Sequence, residues 1–202
     1  MNVIIFFNGW GMEKDIVSHI KIPENYDFIL LSFPYKFDIN TLNKYEKIFF
    51  IGFSFGVSYM AEFISDNKNI LKNKNFQVIS VNGFPFFTEK NFLNRKVILL
   101  TLKNLNENNL KLFYEKAGIK NFVFHKSIPQ LKEELRYFLN KKFYIKNQII
   151  HKAFISSDDK IIKTELQKNF YETNHIPCVF IEGEHCIFHK IKEWRYFFNY
   201  EF

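Results

Sequence analysis

At 202 residues and 24.4 kDa, with 47% hydrophobic and 24% charged side chains, the chain can fill one domain core and is too apolar to stay disordered. Seven glycines and five prolines exclude collagen-like and low-complexity architectures. The formal charge of +7 is gathered in one place. Residues 86–147 carry thirteen basic and five acidic side chains, whereas the segments on either side are balanced to within one charge.

In chain order, short β-branched and aromatic runs at Val3–Phe7, Phe28–Phe33, Lys47–Ile51, Phe76–Val81, His151–Ser156 and Cys178–Glu182 read as strands. Several are apolar on both faces, as strands are when a parallel sheet is covered by helices on both sides. Val57–Ser65, Thr164–Tyr171 and Ile187–Phe198 read as helices between or after them. The alternation predicts an α/β fold with a mainly parallel, doubly wound sheet. It breaks between 86 and 147, where a possible strand at Lys96–Leu102 is followed by helical patterns around Glu107–Ala117 and Gln130–Leu139. This basic stretch is expected to be a small helical cap inserted into a single domain spanning 1–202.

Cys178 and Cys186 lie in no CxxC, so they supply neither a disulfide framework nor a four-ligand zinc site, and they fit a reducing cytoplasm. No apolar run approaches the ~18 residues of a membrane span. The first residues have no basic n-region or cleavage site, so a cytoplasmic protein without a secretory signal is expected. The basic segment suits either a solvated lysine-rich face or an acidic partner. No zinc-finger, RRM or helix-turn-helix pattern accompanies it, so nucleic acid is not the expected partner.

The strongest local signal is Gly52-Phe53-Ser54-Phe55-Gly56, between a predicted strand and a predicted helix. That is the setting of a nucleophile elbow, a turn so tight that glycines must flank the serine. A serine nucleophile needs a base and an orienting acid, which in such folds follow in the order Ser, Asp, His. Ser157-Asp158-Asp159-Lys160 stands behind the fifth strand and Glu182-Gly183-Glu184-His185 behind the sixth. Asp159 is favoured as the acid over Asp158, and His185 as the base. The remaining histidines follow no suitable strand end, and Cys186 lacks an elbow and reads as a packed thiol. After the first strand, Asn8-Gly9-Trp10-Gly11 would bring the Trp10 backbone N–H close to the serine. With the Phe55 N–H it would form an oxyanion hole. The same loop lacks the third glycine of a GxGxxG nucleotide turn.

Phe7-Asn8-Gly9-Trp10-Gly11, the elbow, Val81-Asn82-Gly83, Ser156-Ser157-Asp158-Asp159-Lys160 and Glu182–Phe188 together resemble the BioG-type pimeloyl-[acyl-carrier protein] methyl ester esterases of the α/β-hydrolase superfamily. The resemblance runs from about residue 3 to 198. It implies an esterase of biotin precursor synthesis that needs no cofactor or metal and has an acyl-carrier protein, not a membrane, as partner. Ser54, Asp159 and His185 would be the triad, with Trp10 and Phe55 at the oxyanion hole. The acidic carrier would dock on the basic cap, where Lys132, Arg136, Lys141 and Lys142 are candidate contacts. Asn8 departs from the histidine found there in many α/β-hydrolases. At 202 residues the cap should be small and a sheet strand could be missing. Two other readings stand beside this one: a general carboxylesterase or acyl thioesterase with the same triad, and a non-catalytic module that holds an acidic protein or RNA.

Overall fold

The computed structural model describes residues 1–85, 95–120, 125–141 and 149–199. Six strands form one sheet: β1 (Asn2–Phe7), β2 (Tyr26–Leu31), β3 (Lys47–Phe53), β4 (Asn75–Val81), β5 (Lys152–Ser156) and β6 (Cys178–Ile181). Their order is β2-β1-β3-β4-β5-β6, and every pairing is parallel. The central strands are buried on both faces. Val3 to Phe7 and Ile48 to Phe53 are wholly enclosed, which is the origin of their unbroken apolar runs. β6 is an edge strand and leaves Phe180 half exposed.

Parallel pairing forces each connection to cross a face of the sheet. α1 (Phe55–Asp66) and the short α2 (Lys68–Leu71) return the chain from β3 to β4, and α6 (Thr164–Thr173) joins β5 to β6. Between β4 and β5 lie α3 (Arg95–Asn104), α4 (Glu107–Lys116) and α5 (Ile128–Asn140). α5 opens on a capping box: the Ser127 side chain accepts from the Gln130 N–H, and the Gln130 side chain accepts from the Ser127 N–H. The chain leaves β1 for β2, then returns to place β3 on the other side of β1. The switch point therefore falls between β1 and β3, where open α/β sheets keep their sites.

Three expectations are corrected. Lys96–Leu102 is not a strand but the body of α3. Its apolar run meets no sheet neighbour, and only Ile98 is buried while Val97, Leu99 and Leu100 stay exposed. The predicted helix Ile187–Phe198 is broken into a single turn of 3₁₀ helix, Phe188–Lys190, and a short α7, Arg195–Phe198. The Lys21 N–H donates to the Lys192 carbonyl and the Trp194 N–H to the Lys21 carbonyl, at 2.9 and 3.1 Å, so the chain between the two pieces is extended against the segment after β1. β2 begins and ends two residues before Phe28–Phe33, because its register is set by pairing Asn2 with Tyr26 through Phe7 with Leu31.

The clamp at Lys21 seats Trp194, fully buried, against Phe6, Phe28 and Phe197 at centroid distances of 5.2, 4.9 and 5.7 Å. Trp194→Ala should therefore lower the unfolding free energy by about 3–5 kcal/mol, the usual cost of emptying a large aromatic site, read from urea melts.

Candidate active site

At the end of β3 the backbone does what the elbow pattern requires. Ser54 has φ 54° and ψ −124°, a conformation that costs a non-glycine residue roughly 1–3 kcal/mol. The surroundings impose it. The Ser54 N–H donates to the Val81 carbonyl at 3.0 Å, and its own carbonyl accepts from Val57 at 3.1 Å. A Cβ on Gly56 would stand 2.1 Å from the Phe7 carbonyl oxygen, and one on Gly52 would meet the Val57 Cα at 2.7 Å. The serine side chain makes no cap bond to α1, so its hydroxyl is left to the cavity it lines. Phe55 is the first residue of that helix and directly follows the serine.

His185 is completely buried, with its ring 5.0 Å from that of Phe53, the residue before the serine. Its Nδ1 lies 2.7 Å from Asp159 Oδ2. The aspartate is buried too and is held by three further donors: Ile161 N–H at 2.9 Å, Ile162 N–H at 2.8 Å and Gln167 Nε2 at 3.0 Å. Asp158, by contrast, points outward and pairs with Lys160 at 3.1 Å. With Nδ1 donating to the carboxylate, Nε2 presents a lone pair, and it has no hydrogen-bond partner among the described residues. No hydrogen bond joins it to Ser54. Cys186 is no rival, since burial pushes its thiol up to about 12 and keeps it protonated.

Asn82 was not given a role from sequence. Directly after β4, fully buried and at φ 45°, it donates to the Ser156 Oγ at 2.5 Å and the His185 carbonyl at 2.6 Å, and accepts from the Ser156 N–H at 2.7 Å. One amide thus ties the end of the acid's strand to the histidine's backbone. Its signal was present in the Asn-Gly pair at a strand end, because asparagine tolerates positive φ. Gln167, mid-helix and buried, had no sequence signal at all.

The loop after β1 lies beside the serine: a Cβ on Gly9 would be 3.1 Å from Ser54 Cβ. Asn8, in place of a histidine, accepts the Gly9 N–H at 3.0 Å on its own Oδ1. The Trp10 indole donates to the Leu131 carbonyl at 3.0 Å, and no acceptor for the Trp10 backbone N–H is found among the described residues. Trp10, Ser54 and Phe55 share a cavity of about 410 Å³, within the range of small-ligand sites. α3 and α4 wall it with apolar side chains, and Lys116 and Lys160 reach it from the rim. Of the basic candidates on α5, Lys132 is half-buried, Arg136 is exposed, and Lys141 is committed to Glu62 of α1 at 2.8 Å. Lys142 lies outside the described residues.

A parallel sheet with a strained serine turn at its switch point is the frame of the α/β-hydrolases. Within that class the chain belongs to the BioG family: the family model described as pimeloyl-ACP methyl esterase BioG matches residues 1–197. The crystal structure of BioG from Haemophilus influenzae superposes with a TM-score of 0.80 at 25% identity, covering 98% of this chain and 95% of that one. A Bacteroides fragilis protein named malonyl-[acyl-carrier protein] O-methyltransferase is 33% identical over 114 residues, which are 54% of this chain and 22% of that protein. A carboxylesterase structure from Nitrososphaera gargenis, 14% identical with a TM-score of 0.54 over 93% of this chain and 84% of that one, shares the fold. Among the described residues no helix is long and apolar enough to cross a membrane.

Asn82→Ala strips partners from the Ser156 N–H and the His185 carbonyl and leaves alanine at a positive φ. It should destabilise the fold by roughly 1–3 kcal/mol for each buried group left unpaired, measured by guanidinium unfolding.

Proposed function

We propose that this chain hydrolyses the methyl ester of pimeloyl-[acyl-carrier protein], releasing pimeloyl-[acyl-carrier protein] and methanol. Membership of the BioG family supports the substrate. The observation that carries the chemistry is the buried Asp159–His185 pair, 2.7 Å long, whose Nε2 has no hydrogen-bond partner among the described residues and whose ring lies 5.0 Å from that of Phe53, the residue before the strained serine.

Ser54 Oγ attacks the ester carbonyl as His185 Nε2 takes its proton. The carbonyl oxygen becomes an alkoxide, received by the Trp10 and Phe55 N–H groups. Asp159 holds the ring in the tautomer that accepts at Nε2 and stabilises the imidazolium. On collapse the proton passes to the methoxy oxygen and methanol leaves, with the acyl chain now bonded to Ser54. Water, deprotonated by His185, then attacks the acyl-enzyme and frees the carboxylic acid and the serine. The step calls on no metal or redox group. A cavity of about 410 Å³ with a mainly apolar lining, interrupted by Thr101, Asn104 and Asn109, suits a chain of methylenes with a neutral ester at its end, and burial of each CH₂ is worth about 0.8 kcal/mol.

α3 and α4 both line the cavity, and we take their exposed lining residues Leu100 and Leu112 as its rim. Lys103, Lys111, Lys116 and Lys120 are exposed on these helices or just beyond them. We assign the carrier's docking face to this rim, with Arg136 and Lys132 of α5 beside it. An acidic carrier would be steered there and its prosthetic arm would enter between the two helices.

Ser54→Ala and His185→Ala should each lower kcat by roughly 10³-fold or more on the carrier-linked methyl ester, because triad members act as a unit. Asp159→Ala should cost far more than Asp158→Ala. Wild-type rates in either of the first two variants would refute the site. Cleavage of nitrophenyl esters alone, with the carrier-linked ester untouched, would keep the triad and replace the substrate with a simple carboxylester. Lys111→Glu combined with Lys116→Glu should raise KM for the carrier-linked ester several-fold at low salt and less at high salt, with a much smaller change for a nitrophenyl ester.

A further inference from the structure

The helices between β4 and β5 do more than wall the cavity. Residues 8–12 form the loop whose Trp10 N–H is assigned to the oxyanion, and the two glycines within it make it one of the most easily rotated stretches of backbone in the chain. Three of its carbonyls are pinned. The Tyr35 hydroxyl donates to the Asn8 carbonyl at 2.6 Å, the Met12 N–H to the Gly9 carbonyl at 3.2 Å, and the Tyr114 hydroxyl to the Gly11 carbonyl at 2.6 Å. A trans peptide is planar, so fixing the Gly9 carbonyl sets the direction of the Trp10 N–H. Anchors on either side then stop the segment from turning as a crank. Tyr35 comes from the sheet's own connections, whereas Tyr114 comes from α4.

One turn further along α4, the Ala117 carbonyl accepts the N–H of Cys186, the residue after the proposed base, at 2.8 Å. The chain leaves the helix through Gly118 at φ +82°, so close to the histidine loop that a Cβ there would stand 2.8 Å from that of Glu184. Residues 114 and 117 are neighbours on one helical face. The loop that bears the oxyanion donor and the loop that bears His185 are therefore both tied to a single turn of α4.

We infer that α4 is a brace for catalysis, with Tyr114 as a positioning residue that fixes the oxyanion loop through the Gly11 carbonyl. The inference rests on the esterase reading, since it concerns the alkoxide formed at Ser54. Burial first, then the nearby carboxylates of Glu13 and Glu134, hold the Tyr114 hydroxyl well above a phenol's ordinary pKa, so it remains a donor at any working pH. Phe113 meets the Trp10 indole at 5.0 Å, which gives the loop a second, apolar contact with the same helix.

The test compares wild type, Tyr114→Phe and Trp10→Phe on a nitrophenyl ester, with inhibition by an alkyl trifluoromethyl ketone as a second readout. The ketone's adduct with a serine carries an oxyanion in the same place as the ester's transition state. Losing one direct oxyanion donor typically costs 10²–10³-fold in kcat, so an indirect support should cost about 10-fold. Tyr114→Phe is expected to lower kcat by about that factor and to raise the ketone's Ki in proportion, with KM changed less than twofold. Trp10→Phe, which loses the indole bond to Leu131 and keeps an aromatic ring, should move kcat and Ki the same way by a smaller factor. Unchanged kcat and Ki in a folded Tyr114→Phe would overturn the inference, as would a rise in KM alone, which would make Tyr114 a wall of the cavity. If Tyr114→Phe does not fold, Phe113→Leu, which removes the other contact of α4 with the loop, decides by the same two readouts. Failure of the esterase reading is distinguishable: wild type would then show no Ser54-dependent hydrolysis and no ketone inhibition, and the brace would have no oxyanion to serve.

Discussion

Of the seven glycines, Gly56 has the least room: a methyl group there would stand 2.1 Å from the Phe7 carbonyl oxygen at the end of β1. Adjacent strands of a sheet are about 4.8 Å apart, and α1 must begin over that gap within three residues of β3. A helix can start there only if its first turn presses onto the backbone of the neighbouring strand. From this constraint follow the positive φ of Ser54 and the absence of any cap bond from its side chain to α1. The strain of the turn is balanced by the all-apolar strands beneath, whose packing gives the backbone no room to relax.

Above that apolar floor, the site is organised by buried polar groups whose bonding is nearly complete. Asp159 accepts from two backbone N–H groups and one side-chain amide besides its contact with His185, and Asn82 satisfies both its oxygen and its nitrogen. A hydrogen bond in such surroundings is stronger than in water, and an unpaired group is correspondingly expensive, so each residue has one well-defined orientation. The His185 Nε2, like the Asn8 Nδ2 and the Gln167 Oε1, has no hydrogen-bond partner among the described residues, and it is the atom to which the proposed mechanism gives the serine's proton.

Much of this was legible in the sequence wherever a local rule decides the outcome. Unbroken apolar runs gave the central strands, and the glycine spacing gave the elbow. The placement of Asp159 and His185 behind the last two strands follows from parallel topology, which collects every such loop at one edge. Legibility failed where tertiary partners override local pattern. Val97 to Leu102 has the composition of a strand, yet no sheet edge is within reach, and it folds as a helix. Ile187–Phe198 has helical periodicity, but hydrogen bonds from Lys21, distant in sequence, draw its middle out straight. Lys141 reads as a free surface charge because nothing near it in sequence reveals Glu62. Tyr114 and Asn82 matter through partners 103 residues away, which no spacing rule encodes, and Gln167 through Asp159, eight residues before it, which it meets only because the chain turns back into α6.

Because β6 is the outermost strand and the histidine follows it, the proposed triad is assembled in the order of synthesis with its proton acceptor last. A nascent chain that has emerged through β4 already holds the serine turn and the loop after β1, yet it has nothing to remove the serine's proton. The inserted helices come next, and α4 then offers an anchor to a loop that has not been made. Only when the edge strand is added does the Cys186 N–H reach Ala117 and the imidazole close over Phe53. If the proposed triad is correct, unfinished chains emerging from the ribosome would be inert toward esters, and hydrolytic competence would coincide with completion of the sheet.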